Sequence, residues 1–325
     1  MAISLISPGI KITETDLVSS SQSVSSTSGG FSGQFRWGPI DKAVQVTNET
    51  DLVTRFGKPN ATNAVDFLSA ANFLGYSGSL FVVRSANTAL NATAEATTGS
   101  GTAGTGTSIK NDDVYINTAS WNVGPWAARY SGALGNALKV SVCPSAAAYT
   151  STLTGTYTVT AGSTTVTGSG TAANTEMRVG DSIVLDGRST KVTAIASNTS
   201  LTIASAHLPG ASAVTATRRW EFFDEFDGAP GTSLQAAAVG ASGDEMHIVV
   251  VDEDGRLSGV ANTVLERFAN LSKASDAKGD SGESIYYKEV LYRNSKYIHW
   301  LGHPDATNAT TNGNTWGVTV ATANA

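Results

Sequence analysis

The residues best placed by type and spacing to do chemistry lie in VVVDEDG, residues 249–255. The apolar, β-branched run from Met246 to Val251 predicts a strand buried on both faces. It ends on two carboxylates, Asp252 and Asp254, which with Mg²⁺ could attack a phosphate and protonate the leaving oxygen. The competing reading is an acidic, solvated hairpin turn, because Asp254-Gly255 is turn chemistry. Three histidines, His247, His299 and His303, lack metal-ligand spacing. His247 alternates with Val249 and Val251, as a hydrogen-bonded strand histidine would. Cys143 is the single cysteine; it can form no internal disulfide and is expected to fill an apolar site at a strand end.

VVVDEDG resembles the first motif of haloacid-dehalogenase-like phosphotransferases, which implies Asp252 as nucleophile and Asp254 as acid/base. Arg256 stands where that family has Thr or Val, the motif falls late in the chain, and no acidic pair to hold a metal follows it. The Gly-rich stretch 88–108 reads as a flexible surface excursion. As a phosphate loop it would need a Lys-Ser/Thr pair after its last Gly and a strand leading into it, and it has neither. There is no nucleophile elbow and no dinucleotide fingerprint. The expectation is a protein that is not an enzyme, with no catalytic residues, no cofactor and no metal.

The chain has 325 residues and a formal net charge of -6, a length of about two domains or one elaborated domain. Its mild acidity argues against direct contact with nucleic acid. No run of about 18 apolar residues occurs, so membrane insertion is not expected. MAISLISPGI has no basic leader, and Pro8-Gly9 interrupts its apolar run, so it does not read as a signal peptide.

The elements that must position these residues follow from local pattern. Residues 1–28 read as an extended N-terminal arm and linker, with GIKITET as a half-exposed strand before a Ser-rich run. GGFSGQFRWGP predicts a strand with Phe31, Gly33, Phe35 and Trp37 on one face, ended by Gly38 and Pro39. VTNETDLVTRFGKP predicts a helix capped by Thr47 or Asn48, with Leu52 meeting Phe56 and Gly57 closing it. A second helix follows, capped by Thr62 or Asn63, with Phe67, Ala71 and Leu74 along one side and Gly75 at C′. LFVVR, 80–84, reads as a buried strand, and Leu138, Val140 and Val142 alternate as another. From 150 to 218 the composition turns to Thr, Ser, Val and Gly, with short strand candidates parted by turns. After Asp254-Gly255, the spacing of Val260, Val264, Phe268 and Leu271 predicts a helix covering the strand at 246–251. SIYYKEVLYRNSKYIHWLG predicts a helix and a final strand.

The expected fold class is α/β (α+β), with strands covered by helices. Residues 29–149 and 219–304 form its two parts, 150–218 is an inserted all-β outer module, and 305–325 is a low-complexity boundary.

Several segments together resemble the tail sheath proteins of contractile phages. They are SPGIKITETD, GGFSGQFRWGP with VTNETDLVTRFGKP, RYSGALGNALKVSV, PGTS with DEMHIVVVDEDG, and VLERFANLSKASDAK, in the family's order over residues 7–278. The resemblance implies a structural subunit that stacks as hexameric rings into a helical sleeve around a tail tube. On a baseplate trigger the sleeve contracts and drives the tube through the host envelope. The implied partners are other copies of the chain, the tail tube protein, and baseplate and tail terminator proteins. The implied location is the virion tail, after assembly in the host cytoplasm. It also implies that Pro8, Gly9, Ile10, Ile12 and Glu14 belong to an arm that completes a β-sheet in an adjacent subunit. Members of that family continue beyond the point matching Trp300 into a further domain. Other readings are the sheath of a related contractile injection system, a surface-binding decoration protein built on the β module, and the Asp252/Asp254 phosphatase. The decoration reading is weakened by Tyr157 being the sole aromatic residue between 150 and 218.

Overall fold

The structure, a computed structural model, describes residues 28–86, 89–94, 106–118, 121, 124–303 and 316–320. It is a mixed α/β architecture, mostly strands with few helices.

The first unit runs β1 (Gly29–Gly33), β2 (Ala43–Val46), α1 (Glu49–Phe56), α2 (Ala64–Leu74) and β3 (Leu80–Arg84). Its three-stranded sheet has the order β1-β3-β2, with β1 parallel and β2 antiparallel to β3. Helix α1 forms for local reasons. Asn48 Oδ1 accepts a hydrogen bond from Asp51 N at 2.8 Å, Glu49 and Asp51 sit in the positive first turn, and Gly57 leaves the helix at φ +79°. Leu52 and Phe56 are buried together with Phe35, Val46, Phe67, Leu80 and Val82. Each of these large side chains contributes about 1.5–3 kcal/mol on burial.

Four points of this unit differ from the sequence expectation. The strand predicted through Trp37 stops at Gly33, although Phe35 and Trp37 stay buried as the alternation required. β2 was missing from the sequence reading. β3 is covered on one face only, for Phe81 remains 42% exposed. Gly75 ends α2 with right-handed φ of −68°, so the glycine is not there for a left-handed turn.

Next come β4 (Thr93–Ala94), α3 (Asp112–Asn117), β5 (Trp126–Ala128), β6 (Leu138–Cys143) and α4 (Ala146–Tyr149). Residues 88 and 95–105 of the expected surface excursion lie outside the described residues. Its described part holds an anchor: Asn91 is fully buried, donates to Ala128 O at 2.9 Å and accepts from Ile109 N at 2.8 Å.

Eight strands then form one sheet: β7 (Thr150–Thr152), β8 (Thr156–Val159), β9 (Thr165–Ser169), β10 (Ser182–Leu185), β11 (Arg188–Ser197), β12 (Ser200–Ile203), β13 (Ala211–Val214) and β14 (Thr217–Arg219). A short helix α5 (Ala173–Glu176) lies between β9 and β10. The order is β13-β8-β9-β12-β11-β10-β14-β7, and all its pairings are antiparallel. Its inner side packs Val159, Val166, Ile183, Leu185, Val192 and Leu201 around Tyr157. Since Tyr157 is only 1% exposed, the lone aromatic of this stretch offers no stacking platform at the surface.

The last elements are α6 (Leu234–Ala238), β15 (Glu245–Asp252), β16 (Thr263–Ser272), α7 (Tyr287–Asn294) and β17 (Ile298–Trp300). β15 is buried along Met246–Asp252 and sits between β16 and β6, antiparallel to both. Met246, Ile248 and Val250 face Tyr287, Leu291 and Trp316. Val249 and Val251 face Trp220 and Phe222.

The helix expected after Asp254-Gly255 is a strand. Two bulges in β16, opposite the Met246/Ile248 and Val250/Val251 steps, interrupt its alternation. One bulge sets Val264 and Phe268 on opposite faces despite their even separation. The other returns Leu271 to the face of Phe268, with Asn270 at φ +49°. Apolar residues thereby recur at helix-like intervals along an extended chain. The cover over β15 on the Val249 side is accordingly a loop bearing Trp220, Phe222 and Phe226 rather than a helix.

Most of the expected boundary at 305–325 lies outside the described residues, but 316–320 is packed. Trp316 and Val320 are 6% and 2% exposed, Gly317 N donates to Lys273 O at 2.8 Å, and Val320 N donates to Asp276 Oδ1 at 2.7 Å.

Candidate interaction surface

The carboxylate pair resolves into two unrelated roles. Asp252 is fully buried, and its carboxylate accepts from Arg256 N (3.0 Å), Leu257 N (2.9 Å), Ser258 N (2.7 Å) and Ser258 Oγ (2.8 Å). Burial alone would favour the neutral acid. The hydrogen bonds from Ser258, Leu257 and Arg256 outweigh it and hold Asp252 below the ordinary carboxylate range. Asp254 is half exposed and pairs with Arg256 at 3.3 Å. Asp252 therefore organises the loop between β15 and β16, with its oxygens committed to amides. The solvated-turn reading holds for Asp254 and fails for Asp252.

A pH dependence follows. A carboxylate held low in the folded state takes up its proton more readily in the unfolded chain. Its contribution is thus complete above the ordinary Asp pKa and is lost as pH falls through the folded value. Asp252→Asn should cost about 1–2 kcal/mol at neutral pH, with the gap to wild type closing in acid. Urea unfolding of both proteins from neutral pH to pH 3 measures this.

The histidines do not converge. His247 Nε2 donates to Gly228 O at 2.9 Å and its Nδ1 accepts from Asn270 N at 3.1 Å, while the ring stacks on Phe226 at 4.2 Å. These bonds fix the neutral Nε2–H tautomer. His299 stacks on Tyr115 at 4.1 Å, and burial together with Arg129 pushes its pKa down to about 3. His303 meets Tyr287 Oη at 2.6 Å. Among the described residues no cluster of three or more His, Cys, Asp or Glu could hold a metal ion. Cys143 is buried at the end of β6, and burial pushes its thiol up to about 12.

Sequence reasoning missed the buried polar ties between the sheets, whose partners are distant in the chain. Arg84, 3% exposed and without a carboxylate, donates to Phe35 O, Gly38 O and Ser131 O, each at 2.8 Å. Burial pulls its pKa down to about 10. Asp181 holds Arg218 by bonds of 2.7 and 3.3 Å at the foot of the eight-stranded sheet. There Trp220 Nε1 donates to Ser141 Oγ (3.0 Å) and Lys139 meets Glu221 (2.7 Å), joining that sheet to β6. Arg129 links Asp112 on α3 (3.0 Å) to the carbonyl of Ser295 after α7.

The described residues present open sheet edges and faces. β1 and β2, β6 and β16, and β4 and β17 are the outer strands of the three small sheets. An extended segment of another chain can pair at such edges. The arm residues Pro8, Gly9, Ile10, Ile12 and Glu14 lie outside the described residues.

The first unit carries the family match. Residues 30–84, which span the β1-β3-β2 sheet and its two helices, match the family described as tail sheath protein Gp18 domain III N-terminal region. The tail sheath protein of Enterobacteria phage T4 is 46% identical over 82 residues, 25% of this chain and 12% of that protein. That of Vibrio phage KVP40 is 44% identical over 93 residues, covering 28% and 14%. That of Salmonella phage ViI is 36% identical over 144 residues, covering 43% and 22%. The sheath tail protein Lin1278 from Listeria innocua aligns with 57% of this chain and 35% of its own at 16% identity, with a TM-score of 0.24. Over part of its length the chain is a relative of contractile phage tail sheath proteins, and its matches span between 12% and 22% of the curated relatives' length.

Proposed function

We propose that the chain is a structural subunit of a contractile phage tail sheath. Copies stack as hexameric rings into a helical sleeve around the tail tube. Contraction of that sleeve drives the tube through the host envelope for genome ejection. The observation that carries this reading is the match of residues 30–84 to a tail sheath domain.

In this reading the chemistry is in interfaces between copies, and no catalytic step is involved. A sleeve that shortens by exchanging contacts needs subunits that move as nearly rigid bodies. The buried ties at Arg84, Asp181–Arg218 and Arg129 support that requirement. The arm at Pro8, Gly9, Ile10, Ile12 and Glu14 pairs with a sheet edge in an adjacent copy and keeps neighbours linked while faces slide. Residues 150–218 form the outer module, and 29–149 with 219–304 form the body. The tube, baseplate and tail terminator proteins are the other partners. Assembly takes place in the host cytoplasm and the product resides in the virion tail.

Quantitative mass spectrometry of purified particles tests this. Peptides from residues 28–303 should appear at a copy number close to that of the tail tube protein. Particles lacking them, or holding only a few copies, would contradict it.

A further inference from the structure

Two surfaces of opposite charge lie on opposite sides of the sheet β16-β15-β6. The first is a cleft of about 540 Å³ between α1 and the end of α7, lined by Lys42, Arg55, Arg129, Arg293 and Lys296 against two carboxylates, Asp51 and Asp112. This is a basic excess on a chain whose formal net charge is -6. Several of these cations are loosely held. Lys42, its side chain 43% exposed, meets Asp113 at 3.7 Å, and Arg293 meets Glu289 at 3.5 Å. Lys296 is exposed and forms no ion pair with a described residue.

The second surface is the segment 221–228, between β14 and α6. Glu221, Asp224, Glu225 and Asp227 put four carboxylates in seven residues, and no other stretch of seven in the chain holds as many. Asp224 and Asp227 are exposed, and neither forms an ion pair with a described residue.

Two neighbouring residues of β16 fix the relation between these surfaces. Glu266 lies opposite Val250 in the register and, on the side of α7, accepts from Ser295 Oγ and Lys296 N, both at 2.6 Å. Arg267 lies opposite Val249 and, on the other side, holds Glu225 at 2.9 Å. The rim of the cleft and the acidic segment are thus anchored to opposite faces of one strand. A single chain cannot bring them together. Complementary patches on opposite faces make a heterologous contact, which repeats head to tail instead of closing on a two-fold axis. Complementary charge also sets the register of such a contact and rejects wrong ones.

We propose that the cleft around Lys42, Arg293 and Lys296 receives the acidic segment 221–228 of a second copy of this chain, each copy giving one surface and accepting the other. The contact rests on the sheath reading for its setting, and it needs neither the N-terminal arm nor a sheet edge.

The test is a charge exchange in the intact 325-residue chain. Sedimentation velocity at about 20 mM salt should show association that grows with protein concentration and weakens by about tenfold or more at about 500 mM. Lys42→Glu with Lys296→Glu, or Asp224→Lys with Asp227→Lys, should each weaken it by about 30-fold or more, since like charges then meet. Mixing the two double variants should restore it, because the reversed cleft of one fits the reversed segment of the other. The four positions are at the surface, so each variant should keep its Tm within about 2 °C. Carbodiimide coupling of carboxylate to amine, in a mixture of heavy-isotope-labelled and unlabelled chains, should join Lys42 or Lys296 to Asp224, Glu225 or Asp227 as mixed-isotope pairs. A chain that stays monomeric at low salt, double variants that associate like wild type, or a mixture that does not recover would each overturn the inference. So would cleft lysines coupled to a different protein in purified particles. Particles without the chain would contradict the function proposed above and leave these solution results standing.

Discussion

Asp181→Ala is expected to destabilise the protein by about 3–5 kcal/mol, because it strands a largely buried cation, Arg218, and two amides. Asp181 is 1% exposed. One carboxylate oxygen accepts from Arg218 Nε at 2.7 Å and Arg178 N at 2.8 Å. The other accepts from Arg218 Nη2 at 3.3 Å and Glu221 N at 3.2 Å. Removing it leaves Arg218 with only the carbonyl of Ala148, at 2.7 Å, and deprives two amides of their acceptor. Replacing both partners, Asp181→Ala with Arg218→Met, should recover a large part of the loss, since no charge is then left buried. Urea unfolding measures the four proteins of the cycle. Hydrogen exchange in residues 150–219 should quicken most, because the pair sits where the chain enters and leaves the eight-stranded sheet.

Arg84→Met should cost a comparable amount, on the order of 3–5 kcal/mol, for the opposite reason: the acceptors lose their donor. The carbonyls of Phe35, Gly38 and Ser131 converge on one guanidinium with three bonds of 2.8 Å. Phe35, Gly38 and Ser131 are all buried. Arg84→Lys should rescue little, because a point ammonium cannot reproduce a planar fork reaching three separated carbonyls. Chemical denaturation of the two variants checks this. A lysine variant as stable as wild type would show that charge alone suffices. The loss should also appear as faster exchange of Trp37 N, which is bonded to Phe56 O at 3.1 Å, because the loop from Phe35 to Gly38 is held from Arg84.

Elements with local causes were legible in the sequence. The side chain of Asn48 alone caps α1, and Leu52 and Phe56 meet within a single turn. The unbroken run Met246–Val251 leaves no face for water, so β15 reads as a central strand. Where pairing is irregular the pattern misleads: β16 carries two bulges, and its apolar residues fall at helix-like intervals while it remains extended. The bonds from Arg84 to its three carbonyls and from Arg218 to Asp181 join residues between 37 and 49 positions apart along the chain, a relation that no window of sequence contains. Trp316 lies in low-complexity sequence, and its packing on Tyr287, at 5.4 Å, together with the bonds of Gly317 N and Val320 N, reveals a docked segment.

The candidate surface was half legible. Ordered segments pointed to a sheath, and the matched residues 30–84 fall within that reading. The exposed side of β3 was hidden because LFVVR reads as a buried strand, whereas the register places Phe81 opposite Gly30 and Gln45 on the side that α1 and α2 leave open. Asp252 was misread for a related reason. A DEDG turn looks solvated, but its first carboxylate folds inward onto the amides of 256–258.

Labelling intact particles tests the central claim most directly. A small epitope is inserted at the Asp186-Gly187 turn between β10 and β11, and gold-tagged antibody is imaged on extended and contracted tails. The account predicts label along the whole tail, with its axial spacing shrinking in proportion to tail length on contraction. Label confined to one end of the tail, absent from it, or unmoved in spacing when the tail shortens would contradict it.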